Sequence, residues 1–189
     1  VEPAAGKTIA GADSLAARVA AMPQVAAAVP VIDERALAVS PSAQMPVRLK
    51  GVGAAFADVT DMDSIIVDGA YAVDSVYGYG PAHLSVGVAG YMGLSPRVGN
   101  IVGVYVPRRM GRINPANPAT AFRGDSLAVR SVWQTQRPDY DGDRMIMPLA
   151  TARRLLDYEN GEASAVEIRL AAGADPDAEA ARLSAVLGD

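Results

Sequence analysis

The sequence predicts an α+β fold in which an α+β domain, built from both ends of the chain, is interrupted by a β-rich insertion. The first 60 residues have the pattern of one helix followed by two strands, and residues 144–189 alternate strands and helices. Between them, short apolar runs are separated by turns rich in Gly, Pro and Asn. A chain of 189 residues can bury a sizeable core in one large domain or two small subdomains.

The N-terminal portion is predicted to begin with a tether and a short helix. Residues 1–12 are mostly small or polar and include two glycines. In the next segment the apolar side chains recur on one face of a helix, which we expect over residues 15–22. Asp13 or Ser14 can cap its first turn, and Pro23 stops it.

Strands are predicted wherever β-branched, apolar runs lie between turn residues. The longest run, residues 25–39, contains Pro30, which cannot donate to a neighbouring strand, so we expect a bent edge strand there. The other predicted strands are residues 47–51, 65–67, 84–88, 101–106, 127–135, 144–149 and 166–170.

Three further helices are predicted after the middle of the chain. A helix of one or two turns is an alternative to strand around residues 88–93. Residues 150–158 place their leucines on one face and their arginines on the other. Asp175 or Asp177 can cap a last helix over residues 178–187.

The composition excludes several kinds of site. The chain has no Cys and a single His, so it cannot form a disulfide, a cysteine zinc site, a thiol nucleophile or a multi-His metal site. No run approaches the roughly 20 apolar residues of a membrane span. Aromatic residues make up only 5% and Ala numbers 36, so we expect a core of Val, Leu, Ile and Met with Ala between them. The chain begins with Val and has no secretory leader, so we expect it to be an excised part of a longer protein.

Motifs for catalysis or nucleotide binding are not found. Asp139, Asp141 and Asp143 resemble the start of a calcium loop, but the twelfth position is Ala150 rather than an acid, so we predict a polar turn. The chain has no glycine-rich nucleotide loop and no nucleophile elbow. His83 has no partner that the sequence identifies, and we expect it to be a packed or surface residue.

Positive charge is concentrated in the middle of the chain. Residues 75–124 contain five Arg and no carboxylate, which gives +5; because the net charge is −4, the remainder carries −9. Arg suits carboxylates and backbone oxygens at protein interfaces. The alternative is a solvated surface with a chance gap in acidic residues. Nucleic-acid binding is not expected, because the chain is acidic overall and no aromatic residues interleave the arginines.

The segment 107–118, PRRMGRINPANP, is the strongest functional candidate. It connects two predicted strands, whereas a plain hairpin needs only about 2–5 loop residues. A longer connection that carries three arginines and Met110 is typical of an interface, where Arg and Met are enriched. The alternative is a hairpin tip without function. A second feature, the cluster of Tyr71, Tyr77, Tyr79 and Tyr91, suits recognition loops, although we favour ordinary packing.

Several stretches resemble, in order and spacing, the periplasmic domain of FtsX-type ABC transporter permeases. That family includes the lipoprotein-releasing permeases LolC and LolE, and MacB. The stretches are LAARVAAMPQVAAAVPVI, VRLKGV, GYMGLSPRVGNIVGVYVP, YDGDRMIMPLATARRLLDY and SAVEIRLAAGADPDAEAARL, and they cover most of the chain. The element RMGRI, residues 109–113, is similar to the hairpin arm of the lipoprotein-releasing branch, which MacB-like members usually lack.

The resemblance implies a periplasmic loop between the first two of four transmembrane helices of an inner-membrane permease. Residues 1–12 would be the tether, and residues 13–60 with 144–189 a porter-like α+β subdomain. Residues 61–143 would form a β-rich, sabre-like subdomain with the arm at about 107–118. The implied partners are an ABC ATPase and a second permease subunit. The domain itself is expected to have no enzymatic activity, cofactor or metal.

In the lipoprotein-releasing branch, the arm and a nearby surface patch recruit the soluble chaperone LolA. The partner-binding residues that the resemblance implies here are Arg108, Arg109, Met110, Gly111, Arg112, Ile113 and Arg123. The Asn-Pro insertion that follows the arm departs from that pattern. The alternative function is that of a MacB-like export permease, which acts through subunit pairing without a chaperone. A third alternative is a hydrolase with His83 as its base.

Overall fold

A computed structural model describes residues 1–3, 6–109 and 121–187 of the chain, and these contain eight strands and seven helices. The strands are β1 (Val25–Val39), β2 (Gln44–Val52), β3 (Ile66–Gly69), β4 (Gly80–Ser85), β5 (Ile101–Pro107), β6 (Phe122–Trp133), β7 (Arg144–Pro148) and β8 (Ala165–Leu170). The helices are α1 (Ala12–Ala20), α2 (Phe56–Val59), α3 (Met62–Ile65), α4 (Val86–Met92), α5 (Pro138–Asp141), α6 (Leu149–Leu156) and α7 (Pro176–Leu187). The α+β prediction is confirmed.

Six of the described strands pair in a closed circuit. β1 pairs with β2, β2 with β7, β7 with β4, β4 with β6, β6 with β5, and β5 with the end of β1. The β2–β7 and β4–β6 pairs are parallel and the others antiparallel. β8 lies outside the circuit on the first half of β1, and β3 lies on the end of β6. The sheet is therefore mixed and barrel-like.

The prediction that β1 is an edge strand is correct around Pro30 and wrong for the strand as a whole. Its first half pairs with β8 and its second half with β2, and its last three residues also pair with β5. Pro30 faces Val166 of β8, and the pairing with β2 begins only at Val31. Pro30 thus has a hydrogen-bonded neighbour on one side only, which is the condition under which a strand tolerates proline.

The predicted cap of the first helix is also wrong. The residue before α1 is Gly11, at φ 69°, and no side chain caps the helix. Asp13 lies in the first turn, where its carboxylate accepts two hydrogen bonds from the Arg153 guanidinium, at 2.6 and 3.1 Å. The Asp13 carboxylate, which the local pattern predicts to cap the helix, therefore binds Arg153 instead.

The segment predicted as a strand at residues 84–88 divides between a strand and a helix. β4 ends at Ser85 and α4 begins at Val86, so the short helix at residues 88–93 is confirmed and starts earlier than expected. Val88 and Met92 on α4 are almost fully buried. Burial in the core therefore outweighs the strand preference of β-branched residues in this segment.

The main core lies inside the strand circuit and under α6. Leu155 and Leu156 are buried on the inner face of α6, as the pattern of residues 150–158 predicts. The helix packs closely on β2 because Gly51 has no side chain; a Cβ there would lie 2.5 Å from the Cβ of Ala152. Met92, Met145 and Met147 are buried there with Val, Leu, Ile and Ala, which confirms the expected composition of the core.

A second, smaller apolar cluster lies on the other side of β1. It contains Val29, Val31, Val52, Phe56, Met62, Trp133 and Ile146, with Tyr71 and Ile65 packed against it. The division of the chain into a porter-like and a sabre-like subdomain stays a prediction. Within the part of the chain that the structure describes, no helix has both the length and the apolar character to cross a membrane.

Candidate partner-docking site

The segment 107–118, which the sequence predicts to be functional, begins at the end of a regular two-stranded hairpin. β5 and β6 pair antiparallel from Ile101 opposite Ala128 to Pro107 opposite Phe122. The backbone N–H of Arg108 then donates to the carbonyl oxygen of Ala121 at 2.8 Å. Met110, Gly111, Arg112 and Ile113 lie outside the described residues, so the arm tip stays a prediction. The structure does describe Arg108, Arg109 and Arg123, which form the base of the segment.

Arg109 lies against residues that follow α6. Its Nη1 is 3.4 Å from Oε1 of Glu162, and its guanidinium lies 4.6 Å from the ring centre of Tyr158. The Tyr158 hydroxyl donates to Glu34 on β1 at 3.0 Å. Burial, together with the Glu34 carboxylate, raises the pKa of Tyr158 well above its usual value, so the hydroxyl keeps its proton.

The carboxylate of Glu162 is held in its charged form. Burial alone would raise its pKa, but hydrogen bonds from the Thr8 hydroxyl and the backbone N–H of Glu159, together with Arg109, lower it. The bond from the Glu159 N–H measures 2.7 Å. Glu162 therefore offers Arg109 a fixed negative partner.

Arg123 makes the matching contacts on the other strand of the hairpin. Its Nη1 lies 2.5 Å from Oδ1 of Asp157 and donates to the carbonyl oxygen of Arg154 at 3.1 Å. Arg154 in turn forms an ion pair with Asp125 on β6. Asp157 ends α6 in the left-handed region, at φ 56°. We call Arg109 and Arg123, with Glu162 and Asp157, the arm clamp.

In the arm clamp, two of the predicted partner-binding residues form ion pairs within their own chain. Arg109 and Arg123 both point their charge at acids of the same protein, with 39% and 36% of each side chain exposed. Each such half-exposed pair contributes only about 0.2–1 kcal/mol. The sequence did not identify Glu162 and Asp157 as partners, because they lie more than 30 residues from the arginines along the chain.

We expect the double substitution Arg109→Ala and Arg123→Ala to loosen the base of the hairpin while leaving the fold intact. Loss of about 1 kcal/mol of local stability should speed hydrogen exchange of the Arg108 amide about fivefold. NMR exchange measurements would test this, with Arg97→Ala as control, because Arg97 pairs with Asp68 before β5 begins. Unchanged exchange at Arg108 would contradict the arm clamp.

Arg108 lies beside the clamp in a charged groove. The groove has a volume of about 530 Å³. Its charged lining residues are Lys7, Arg35, Arg48, Arg108 and Arg109, with Asp33 and Glu34. Asp33 is already paired with Arg48, at 2.8 Å, and Glu34 with Tyr158. The groove therefore carries an excess of cations, and it begins where the described part of the arm ends.

His83 occupies a buried position with both ring nitrogens engaged. Nε2 is 2.9 Å from the carbonyl oxygen of Ala72, which can only accept, so Nε2 carries the proton and Nδ1 accepts from the Ser131 hydroxyl at 2.7 Å. His83 borders an apolar cavity of about 320 Å³, but Ser131 is fully buried and does not line it. A His–Ser pair whose hydroxyl cannot reach the cavity is suited to holding β4 on β6.

The tyrosine cluster is more exposed than ordinary packing predicts. Tyr77 is 96% exposed and Tyr91 66% exposed, so the packing interpretation is wrong for both. Tyr77 lies with Gly78 in a tight turn in which Val76 and Tyr79 exchange two backbone hydrogen bonds, and its φ is 52°. Tyr71 does pack, with its ring centre 4.7 Å from that of His83.

The chain shares its fold with solved domains, although no family model and no curated protein matches its sequence. The extracellular domain of the ABC-type transporter YknZ from Gram-positive bacteria matches with a TM-score of 0.62 at 16% identity, covering 98% of this chain and 87% of that one. The periplasmic region of MacB from Actinobacillus actinomycetemcomitans matches with a TM-score of 0.58 at 13% identity, covering 93% and 72%. The chain therefore has the fold of the extracellular and periplasmic domains of ABC-type transporters.

Proposed function

We propose that this protein is the extracytoplasmic domain of an ABC transporter permease, and that it recruits a partner protein through the arm at about residues 107–118. The domain performs no covalent chemistry. It receives motion from an ATPase through the membrane part of a permease dimer and converts it to work in the periplasm. Lipoprotein release to a soluble chaperone is the form of that work which the sequence resemblance favours.

The observation that carries this proposal is the shared fold over nearly the whole chain. A match that covers 98% of the chain at a TM-score of 0.62 includes both the strand circuit and the helices around it. At 16% identity the match supports the fold, and the role is our inference from it.

The arm clamp and the groove support docking as the way in which the domain works. The arm clamp joins the base of the segment to residues that follow α6. A partner bound at the tip would therefore transmit force to the rest of the domain. The neighbouring groove carries excess positive charge, and charge-assisted hydrogen bonds from Arg to carboxylates are strong and directional. We therefore expect the partner to present carboxylates beside an apolar contact for Met110.

The double substitution Met110→Asp and Arg112→Glu should abolish partner capture and leave the fold intact. The experiment immobilises the protein and measures binding of purified periplasmic lipoprotein chaperone from the same cells. Loss of at least tenfold in affinity is expected, because apolar and charged contacts are both reversed. The matched control is Val98→Asp with Arg97→Glu, which makes the same change of charge at two exposed residues outside the arm. Equal capture by both double variants would contradict the arm proposal.

A second candidate function is export by subunit pairing, and the likeness to MacB favours it. In that case the full permease would transport its substrate without a chaperone. The arm variant separates the two candidates: it should stop lipoprotein release under the first and leave transport unchanged under the second.

A further inference from the structure

A pocket next to the smaller apolar cluster has an apolar floor. It has a volume of about 330 Å³, at the lower end of the range for small-molecule sites. Phe56, Met62, Trp133 and Ile146 form the floor, and each is at most 5% exposed. The indole N–H of Trp133 donates to the carbonyl oxygen of His83 at 3.2 Å, which fixes the ring. Small apolar groups could therefore pack on a rigid surface.

Every charged side chain that lines this pocket is a cation. Lys50, Arg137 and Arg144 line it together with Thr60, Thr135 and Tyr140, and no described carboxylate does so. The Arg137 and Arg144 guanidiniums lie 4.9 and 4.2 Å from the ring centre of Tyr140, which holds both arginines beside one aromatic ring. Lys50 Nζ lies 5.0 Å from the ring centre of Phe56.

The nearby acids cancel only part of this charge. Glu167 pairs with Lys50 at 2.5 Å. Asp33 is shared, since it lies 3.5 Å from Arg144 and 2.8 Å from Arg48.

A third carboxylate, that of Asp141, binds the loop that follows β6. It accepts from the backbone N–H and the hydroxyl of Thr135, both at 2.8 Å, and these hydrogen bonds lower its pKa against the opposing effect of burial. Arg137 is exposed and has no ion-pair partner among the described residues. The rim therefore keeps a net positive charge above an apolar floor.

We propose that this pocket binds a single-chain amphipathic anion, with its apolar tail on Phe56 and Trp133 and its anionic head between Arg137 and Arg144. An anion with one apolar tail satisfies both halves of the pocket at once, because the floor cannot hydrogen-bond a polar ligand and the rim would leave a neutral ligand's head unpaired. The proposal does not depend on the function proposed above.

Trp133, the only tryptophan of the chain, gives a direct test. Decanoate should change its fluorescence saturably at one site per chain, measured below the micelle concentration. Decanol and decyltrimethylammonium, which have the same tail with a neutral or a positive head, should bind at least tenfold more weakly. Binding of all three probes with equal affinity, or of none, would overturn the proposal.

Substitutions separate the rim charges from the fold. Arg137→Gln with Arg144→Gln should weaken decanoate binding at least tenfold, and Arg137→Lys with Arg144→Lys should restore most of it. Arg97→Gln with Arg108→Gln removes the same charge outside the pocket and should leave the affinity unchanged. Thermal unfolding would verify that each variant is folded. Equal affinity in the Gln pair and the wild type would overturn the proposal.

A lipid bilayer also presents anionic head groups joined to apolar tails, so it is a second possible source of the ligand. Vesicles of phosphatidylglycerol that contain no fatty acid test this second source. A fluorescence change with decanoate and none with vesicles supports a free single-chain ligand. A change with vesicles alone would overturn the proposal, because the ligand would then be a membrane surface.

Discussion

Replacement of Gly87 by Ala should destabilise the protein by about 3 kcal/mol, because the new methyl group has no room. A Cβ at this position would lie 2.3 Å from the carbonyl oxygen of Gly142 and 2.6 Å from that of Asp141. These are backbone atoms, which cannot rotate away as a flexible side chain can. The clash would push α4 off the loop between α5 and β7 and disturb the burial of Val88 and Met92.

Gly90, three residues further along α4, provides a matched control. A Cβ there would have no neighbouring heavy atom within 4 Å. Gly90→Ala should therefore stabilise the protein by about 0.5–1 kcal/mol, since Ala loses less conformational freedom than Gly when a helix forms. Urea unfolding of both variants measures the difference. A Gly87→Ala protein as stable as the wild type would show that α4 is not packed against the loop after α5.

The second large effect is a loss of stability on acidification that depends on His83. Burial is the main cause that lowers the pKa of His83 from 6.5 to about 4; the positive charge of Arg130 adds to it, and the hydrogen bond to Ala72 opposes it. Between these two pH values the unfolded chain binds a proton that the folded chain does not. The contribution of His83 is therefore fully present above pH 6.5 and is lost as the pH falls to about 4.

Between pH 7 and pH 5 this linkage should remove about 2 kcal/mol from the free energy of unfolding. The variant His83→Gln keeps a polar side chain but has no titration in this range. It should be less stable than the wild type at pH 7 and should lose about 2 kcal/mol less on acidification. Urea unfolding at pH 7, 6 and 5 compares the two proteins. Parallel pH profiles would mean that the pKa of His83 is not lowered in the folded protein.

The local pattern of the sequence was sufficient for most elements of the fold. The alternation of apolar and polar residues identified the strands around Val47, Val104 and Ile168, and the helical period identified α6 and α7. Asp175 caps α7, as one of the two candidates, because its carboxylate accepts from the N–H of Asp177 at 3.0 Å. These features depend on residues within a few positions of each other, where periodicity and capping act.

The candidate site was only partly predictable. The unusual length and arginine content of the segment between β5 and β6 indicated a functional connection, and Arg108 does border a charged groove. The sequence did not indicate that Arg109 would pair with Glu162 or that Arg123 would pair with Asp157. The exposure of Tyr77 was missed although Gly78, Gly80 and Pro81 beside it indicate a turn, because burial depends on which distant residues pack on that turn.

Local sequence patterns predicted most of the helices and strands and much of the apolar core, and the composition showed which chemistries the chain lacks. Only the tertiary structure decided which elements are neighbours. β1 lies inside the sheet, and Asp13 accepts hydrogen bonds from Arg153, 140 positions away in the sequence. Lys50, Trp133 and Arg144 line one pocket although Lys50 is far from the other two along the chain. The physical reason is that local preferences act within a few residues. Contacts between distant residues depend on how the sheet closes, and the closed sheet sets which charges and apolar surfaces meet.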